Sequence, residues 1–136
     1  MGFKTDGTLW GCGNNASGQL GAGSGVSTVK TFTQIASDVL DIYSCMTSGY
    51  TSWIIKTDRT LWGTGNGNQG CQGNGSNSDV KEFTQRLTDV KRVACSNFTT
   101  WAVKTDGTLW GTGSGGQGQQ GTGSTSNVTT FTQKVI

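Results

Sequence analysis

The sequence contains neither proline nor histidine among its 136 residues. Without histidine the chain lacks the usual general base, the partner of Ser–His and Cys–His nucleophiles, and the commonest metal ligand. Charged residues make up only 13% of the chain, and the formal net charge is +2. Because the basic residues form no run, nucleic acid is not predicted as a partner. We therefore expect a protein that is not an enzyme, with no catalytic residues, no cofactor and no metal site.

Long apolar segments are also missing. No stretch approaches the roughly 18 apolar residues of a membrane-spanning helix, so no membrane insertion is predicted. Patterned sequence begins at the N-terminus, so no signal peptide is visible. The chain is instead rich in glycine, with 23 copies, and has five tryptophans. The tryptophans and the small net charge argue against disorder, and the length fits one domain.

Three short motifs recur in the same order, which indicates internal repeats. Each repeat has a K-T-D-x-T-L-W-G segment, a G-x-x-G segment and an F-T-Q segment. The K-T-D-x-T-L-W-G segments are residues 4–11, 56–63 and 104–111. The G-x-x-G segments are residues 18–21, 70–73 and 118–121. The F-T-Q segments begin at Phe32, Phe83 and Phe131. The period of about 50 residues predicts repeats over 1–37, 38–88 and 89–136.

Within one repeat the pattern predicts four short strands. In the last copy these are residues 89–96, 98–104, 108–113 and 131–136, with a type I′ turn at Asp106 and Gly107. Four strands in about 50 residues are typical of a β-propeller blade, so we predict an all-β propeller. The first copy lacks its first strand, which gives about eleven strands in total. Trp10, Trp62 and Trp110 are predicted to be buried at equivalent core positions.

The repeat resembles the RCC1 (regulator of chromosome condensation) family of seven-bladed propellers. Residues 12–21 match the family pattern W-G-x-N-x-x-G-Q-L-G, with Cys12 in place of the tryptophan; Thr64 and Thr112 occupy the same place in the other copies. The resemblance implies the fold. It leaves function open, because the family includes a nucleotide-exchange factor, an enzyme inhibitor and modules of bacterial and phage surface proteins. The amino-acid sequence of the repeats is most similar to that of the bacterial and phage members.

Three blades are too few to close a propeller, which usually has four to eight. We expect the chain to associate with itself, a homodimer giving a six-bladed ring being favoured, or to be part of a longer run of blades. An open stack leaves two blade faces and a strand edge beside Phe3 uncovered.

The acidic residues Asp6, Asp58 and Asp106 are predicted to be turn residues, because a residue repeated in every blade is scaffold more often than acid or base. The glycine-rich loops are not followed by a helix, so they are not predicted to bind phosphate. Loops that differ between the copies are better candidates for binding. The candidate contact residues are Met46, Gly49, Tyr50 and Phe98.

The four cysteines match no zinc pattern. Aligning the repeats places Cys45 and Cys95 at neighbouring positions of adjacent blades, pointing to opposite faces of their strands. We therefore expect no disulfide between them.

Together these features predict a non-enzymatic structural or binding module of a virion or cell surface. Its partners would be a second copy or further blades, and a protein or surface glycan. The alternative is a soluble regulator or inhibitor that binds a protein through the loop face of the propeller. A virion or extracellular location is favoured, and a cytoplasmic one stays open.

Overall fold

The computed structural model describes residues 1–45 and 49–136. They form eleven β-strands and a three-residue 3₁₀ segment, Asn68–Gly70. The strands are β1 (Gly2–Phe3), β2 (Leu9–Asn14), β3 (Thr28–Ala36), β4 (Val39–Cys45), β5 (Thr51–Lys56), β6 (Leu61–Gly65), β7 (Val80–Leu87), β8 (Val90–Ser96), β9 (Thr99–Lys104), β10 (Leu109–Gly113) and β11 (Val128–Gln133). The prediction of an all-β fold is confirmed.

The strands make three antiparallel sheets that follow one another along the chain. Sheet 1 contains β1, β2 and β3; sheet 2 contains β4 to β7; sheet 3 contains β8 to β11. Each strand pairs with the next strand in sequence. Sheet 1 therefore has one strand fewer than its neighbours in the described part of the chain. The three sheets do not close into a ring.

The fourth strand of sheet 3 begins earlier than predicted. It runs over Val128–Gln133, and its register with β10 extends from Gly113 opposite Val128 to Trp110 opposite Gln133. The β-branched residues at its start favour strand pairing over the loop to which they were assigned. Val135 and Ile136, predicted in the strand, are fully exposed beyond it.

The hairpin turns also differ from the predicted type I′ geometry. Gly107 N–H donates to the carbonyl of Lys104 at 3.0 Å, and the positive φ is confined to Gly107, at 87°. The turn is thus a three-residue loop whose last residue is left-handed. Arg59 adopts the same conformation in sheet 2, with φ 67°.

The core lies between the sheets. Between sheets 2 and 3 the buried residues are Trp53, Ile55, Leu61, Val90, Val93 and Ala102. Between sheets 1 and 2 they are Leu9, Val39 and Ile54. Trp53, on the second strand of sheet 2, is fully buried, and its ring lies over Gly63 of the adjacent strand, where a Cβ would come within 2.5 Å of it.

Trp10, Trp62 and Trp110 occupy equivalent positions, as predicted, but they are half-buried and not fully buried. Trp62 and Trp110 pack against the edges of the two buried clusters. In strand β6 the glycine next to Trp62 lies under a neighbouring side chain, while Trp62 points to the other face of the sheet. That face carries a stacked lysine, described below.

Cys45 and Cys95 form a disulfide, which contradicts the expectation that no disulfide joins them. Their Cα atoms are 5.9 Å apart, and the bond joins β4 to β8. The two strands belong to different sheets and face each other across the seam. A residue that points from β4 towards sheet 3 and one that points from β8 towards sheet 2 must lie on opposite faces of their strands. The opposite orientation, taken as evidence against the bond, is what allows it. Cys12 and Cys71 are free thiols.

Candidate functional site

The K-T-D-x-T-L-W segment builds the same hydrogen-bonded unit in every sheet. In sheet 2 the Thr60 hydroxyl donates to the Asp58 carboxylate at 2.6 Å, and Trp62 Nε1–H donates to that hydroxyl at 2.7 Å. The Lys56 ammonium lies 4.4 Å from the centre of the Trp62 ring, a cation–π contact. Sheets 1 and 3 repeat all three contacts. The unit therefore explains why this segment recurs.

The aspartates of these turns are held as carboxylates. The hydroxyl and backbone N–H of Thr8 lower the pKa of Asp6 to about 2, and the corresponding threonines lower the pKa of Asp58 and Asp106. All three side chains are solvent-exposed. A general acid needs a raised pKa, so this geometry supports the turn interpretation.

The seam between consecutive sheets contains a phenylalanine packed on glycine. Phe83 of β7 covers Gly21 in the loop of sheet 1, so that a Cβ at Gly21 would lie 2.6 Å from its ring. Phe131 of β11 covers Gly73 of sheet 2 in the same way. Phe131 also meets Trp53 edge to face, with ring centres 5.8 Å apart. These contacts seat the outer strand of one sheet on the loop of the preceding sheet.

Hydroxyl groups connect the same surfaces. The Thr64 hydroxyl lies 2.8 Å from the carbonyl of Gly18, and the Ser52 hydroxyl lies 2.6 Å from that of Gln19. A backbone bond from Gly23 N–H to the Lys81 carbonyl, 3.0 Å long, completes the seam. The second seam repeats these three contacts. The Thr112 hydroxyl lies 2.9 Å from the carbonyl of Gly70, and the Thr100 hydroxyl lies 3.1 Å from that of Cys71. Gly75 N–H donates to the Thr129 carbonyl at 2.8 Å. The chain therefore contains two copies of one docking geometry.

One end of the stack presents the outer-strand half of this geometry. We call it the strand end, and it consists of Lys30, Thr31 and Phe32 on β3 with Cys12 on β2. Phe32 is equivalent to Phe83 and Phe131, but it is 69% exposed. Cys12 stands where the other sheets have the seam threonine, and sheet 1 has no counterpart of Ser52 or Thr100, so this end lacks both seam hydroxyls.

The other end presents the loop half. We call it the loop end, and it consists of Gly118, Gly121 and Gly123 with Trp101. A Cβ at any of the three glycines would meet no atom of the described residues within 4 Å. Trp101 is equivalent to the buried Trp53, yet it is half-buried and has the Lys134 ammonium 5.9 Å from its ring centre. Burial lowers the pKa of Lys134. The two ends therefore carry complementary halves of a seam that the chain already makes twice.

The predicted contact residues lie elsewhere. Tyr50 is 51% exposed with φ 42°, and Phe98 is half-buried. Gly49 is buried against the backbone of Asn97, so the structure brings this loop next to the turn that carries Phe98. Met46 lies outside the described residues. A binding role for these four residues stays a prediction.

Sequence reasoning did not identify Phe32 or Gly121 as surface residues. The signal was available in the motif alignment, because a residue that covers a neighbour in two sheets must be uncovered at the end of the stack. Using that signal requires knowing which sheet each phenylalanine packs against, and only the tertiary structure gives this.

The remaining reactive groups give little chemistry. Burial raises the pKa of the Cys71 thiol to about 11, so it is protonated at neutral pH. Among residues 1–45 and 49–136 no three Cys, Asp or Glu side chains cluster as metal ligands would. No helix in that part of the chain has the length and hydropathy to cross a membrane.

Comparison with known proteins bears on the fold. Residues 90–119 match the family model for the regulator of chromosome condensation (RCC1) repeat. The sheets are RCC1-like propeller blades. No curated protein matches the sequence.

Solved RCC1-like structures share this arrangement over 98% of the chain. Yeast RCC1 (Prp20) in its structure with Kap60 gives a TM-score of 0.79 at 19% identity, and 34% of that chain is covered. Prp20p from Saccharomyces cerevisiae, described with its binding to Gsp1p and histones, gives 0.78 at 21% identity and 35% coverage. Human WBSCR16 gives 0.76 at 21% identity and 36% coverage. The chain therefore spans about a third of the length of these proteins, and the likeness shows the fold alone.

Proposed function

We propose that the RCC1-like blades form a non-enzymatic, protein-binding module whose two ends dock onto further blades of the same kind. The partner we favour is a second copy of the chain, in a homodimer that closes a six-bladed ring. The observation that carries this proposal is the pair of complementary ends. Exposed Phe32 matches the residues that fill the glycine hollows in both seams, and the hollow at Gly121 is open.

The proposed contact follows the geometry of the existing seams. Phe32 of one copy covers Gly121 of the other and meets Trp101 edge to face, as Phe131 meets Trp53. The Gly123 N–H donates to the Lys30 carbonyl of the second copy. Covering these aromatic surfaces contributes roughly 25 cal/mol for each Å² of apolar area removed from water. In a two-copy ring this contact is made twice.

Light scattering of the purified chain over a range of concentrations tests the proposal. We expect a species of twice the 14.2 kDa mass of one chain. The Phe32→Glu variant places a charge in the seam and should remain a monomer. A wild-type chain that stays monomeric at high concentration would contradict both the homodimer and the docking of the ends.

We also propose a place for the module on a virion or cell surface, where it binds a protein or a glycan. The Cys45–Cys95 disulfide supports an oxidising location, because such bonds are rare in the cytosol. The long glycine- and serine-rich loops, in which Asp79 is the charged residue, are compatible with that setting.

The alternative function is a soluble regulator or inhibitor that acts through the loop face. The half-exposed Tyr50 ring, next to the backbone of the Gly49–Asn97 contact, favours it. Protein and glycan arrays probed with the wild type and with Tyr50→Ser test this idea. Binding that is lost in the variant supports the loop face, and binding that is unchanged removes Tyr50 from it.

A further inference from the structure

A cavity of about 460 Å³ lies in the seam between sheets 1 and 2. Sheet 1 contributes residues of β3 and of the loop 21–23, and sheet 2 contributes residues of β5, β6 and β7. Both walls belong to sheets that already pack on each other within one chain. The cavity therefore does not depend on how the ends of the stack are covered.

A comparison of the repeats shows which kind of group this cavity lacks. Ile35, which lines it, is equivalent to Arg86 in sheet 2 and Lys134 in sheet 3, so both other sheets have a long cationic side chain here. The Arg86 Nε–H donates to the Gln72 carbonyl at 2.8 Å, and Gln72 directly precedes Gly73, the glycine covered by the seam phenylalanine. In sheet 2 a guanidinium group thus lies beside the glycine hollow, whereas the shorter Ile35 leaves the corresponding volume open.

Acceptors for a guanidinium group are present at this cavity. The carbonyl of Leu20, equivalent to the acceptor in sheet 2, receives no hydrogen bond from residues 1–45 and 49–136. Glu82 of β7 lines the cavity, and its Oε1 lies 3.4 Å from the place that a Cβ on Gly23 would take. Its equivalents in the other sheets are Thr31 and Thr130, so the carboxylate is particular to this seam. A guanidinium matches a carboxylate with two parallel N–H···O bonds.

The cavity also contains a positive charge, the Lys56 ammonium, which lies 4.4 Å from the centre of the Trp62 ring. In sheet 1 the equivalent Lys4 forms an ion pair with Asp6 at 3.3 Å. Lys56, in contrast, lies more than 4.0 Å from every described carboxylate, that of Glu82 included. Two opposite charges that line one cavity without pairing favour a ligand that carries both charges. Such a ligand places its anionic group at Lys56 and its cationic group at Glu82.

We propose that this cavity binds the C-terminal arginine of a partner peptide. The guanidinium donates to the Glu82 carboxylate and the Leu20 carbonyl, and the terminal carboxylate pairs with the Lys56 ammonium. The methylene groups of the arginine pack against Ile35 and Phe83. Arginine is favoured over lysine because its planar group bonds two acceptors at once. The site names a ligand for the protein-binding function proposed above and rests on that function, but it needs only one copy of the chain.

Calorimetric titration of the intact chain with short peptides tests the proposal. The probe is acetyl-Gly-Gly-Arg with a free C-terminal carboxylate. One control is its C-terminal amide, and the other has citrulline in place of arginine, which keeps the shape of the side chain and removes its charge. Each control loses one charge-assisted contact, so we expect it to bind at least about tenfold more weakly than the probe. No binding of the probe, or equal affinities for the three peptides, would overturn the proposal.

Free L-arginine distinguishes a peptide terminus from the amino acid. Its α-ammonium group would lie beside the Lys56 ammonium, so we expect the amino acid to bind more weakly than the peptide. Tighter binding of free arginine would contradict a peptide ligand.

Two matched pairs of protein variants locate the site. Ile35→Arg fills the cavity with the side chain that sheet 2 has at this position, so it should abolish peptide binding. Leu40→Arg adds the same charge at an exposed position outside the cavity and should bind as the wild type does. Glu82→Gln should bind the probe at least about tenfold more weakly. Asp89→Asn removes the same charge from an exposed turn outside the cavity and should leave binding unchanged.

Equal binding within either pair would place the peptide elsewhere and contradict the proposal. Light scattering of the same samples reports self-association separately, so a failure of the homodimer is distinguishable from a failure of this site.

Discussion

Three equivalent phenylalanines allow the seam geometry to be tested with matched substitutions. Phe131 is half-buried on Gly73 and meets Trp53 edge to face, whereas Phe32 is 69% exposed. A fully buried Phe→Ala change costs roughly 4 kcal/mol, so half-burial gives about 2 kcal/mol for Phe131→Ala. Loss of the aromatic pair adds about 1 kcal/mol. We therefore expect Phe131→Ala to lower the free energy of unfolding by about 3 kcal/mol.

The control is Phe32→Ala, which should change the free energy of unfolding by less than about 0.5 kcal/mol, as surface substitutions do. Urea unfolding followed by tryptophan fluorescence, at a concentration where the chain is monomeric, measures both values. Phe83→Ala, on Gly21, should resemble Phe131→Ala without the aromatic pair. Equal costs for Phe32→Ala and Phe131→Ala would refute the argument that the seam buries one residue and the end exposes the other.

Three further predictions follow from single contacts. Cys12→Thr supplies one seam hydroxyl at each of the two contacts in the ring, worth about 1 kcal/mol each and about 2 kcal/mol together, so the dissociation constant of the homodimer should fall roughly thirtyfold in a sedimentation titration. An unchanged dissociation constant would contradict the proposed docking. Reduction of the Cys45–Cys95 disulfide, which spans 50 residues, should lower the free energy of unfolding by about 4 kcal/mol on a chain-entropy argument, and unfolding curves with and without reductant measure this. The pKa of Asp6 is lower in the folded chain, so its carboxylate stabilises the fold fully above pH 3.8, and this contribution is lost as the pH falls towards 2. The free energy of unfolding of Asp6→Asn should therefore fall less steeply than that of the wild type between these pH values. An identical pH dependence would show that the hydrogen bond in the turn is not coupled to folding.

Most of the fold could be predicted from the sequence repeats. The recurring motifs predicted an all-β propeller and a first sheet one strand short, because strand propensity and turn residues are local properties. The predictions that failed are those that depend on how one sheet packs against the next. Cys45 and Cys95 were judged from the faces of their strands, without knowing that the strands oppose each other across a seam. Trp62 was expected to be fully buried, whereas one side of its ring packs against the core and the other carries the Lys56 ammonium, with its indole N–H bonded to Thr60.

The candidate site shows the same division. Loop variation directed attention to Tyr50, while the complementary ends became visible only when the seam contacts were known. Phe32 has the same sequence context as Phe83 and Phe131, so no local signal separates the exposed copy from the covered ones. Their different burial follows from the position of each sheet in the stack.

The central claim is that the two ends of the stack are halves of one interface, and mixing two blocked variants tests it most directly. Phe32→Glu blocks the strand end, and Gly121→Asn fills the hollow of the loop end with a residue that tolerates the left-handed conformation of Gly121. Each variant alone should remain monomeric, since every contact in the homodimer uses both ends. Native mass spectrometry of the mixture should then show a heterodimer, formed by the intact loop end of one variant and the intact strand end of the other. A mixture that contains only monomers, or variants that each dimerise alone as the wild type does, would contradict the account.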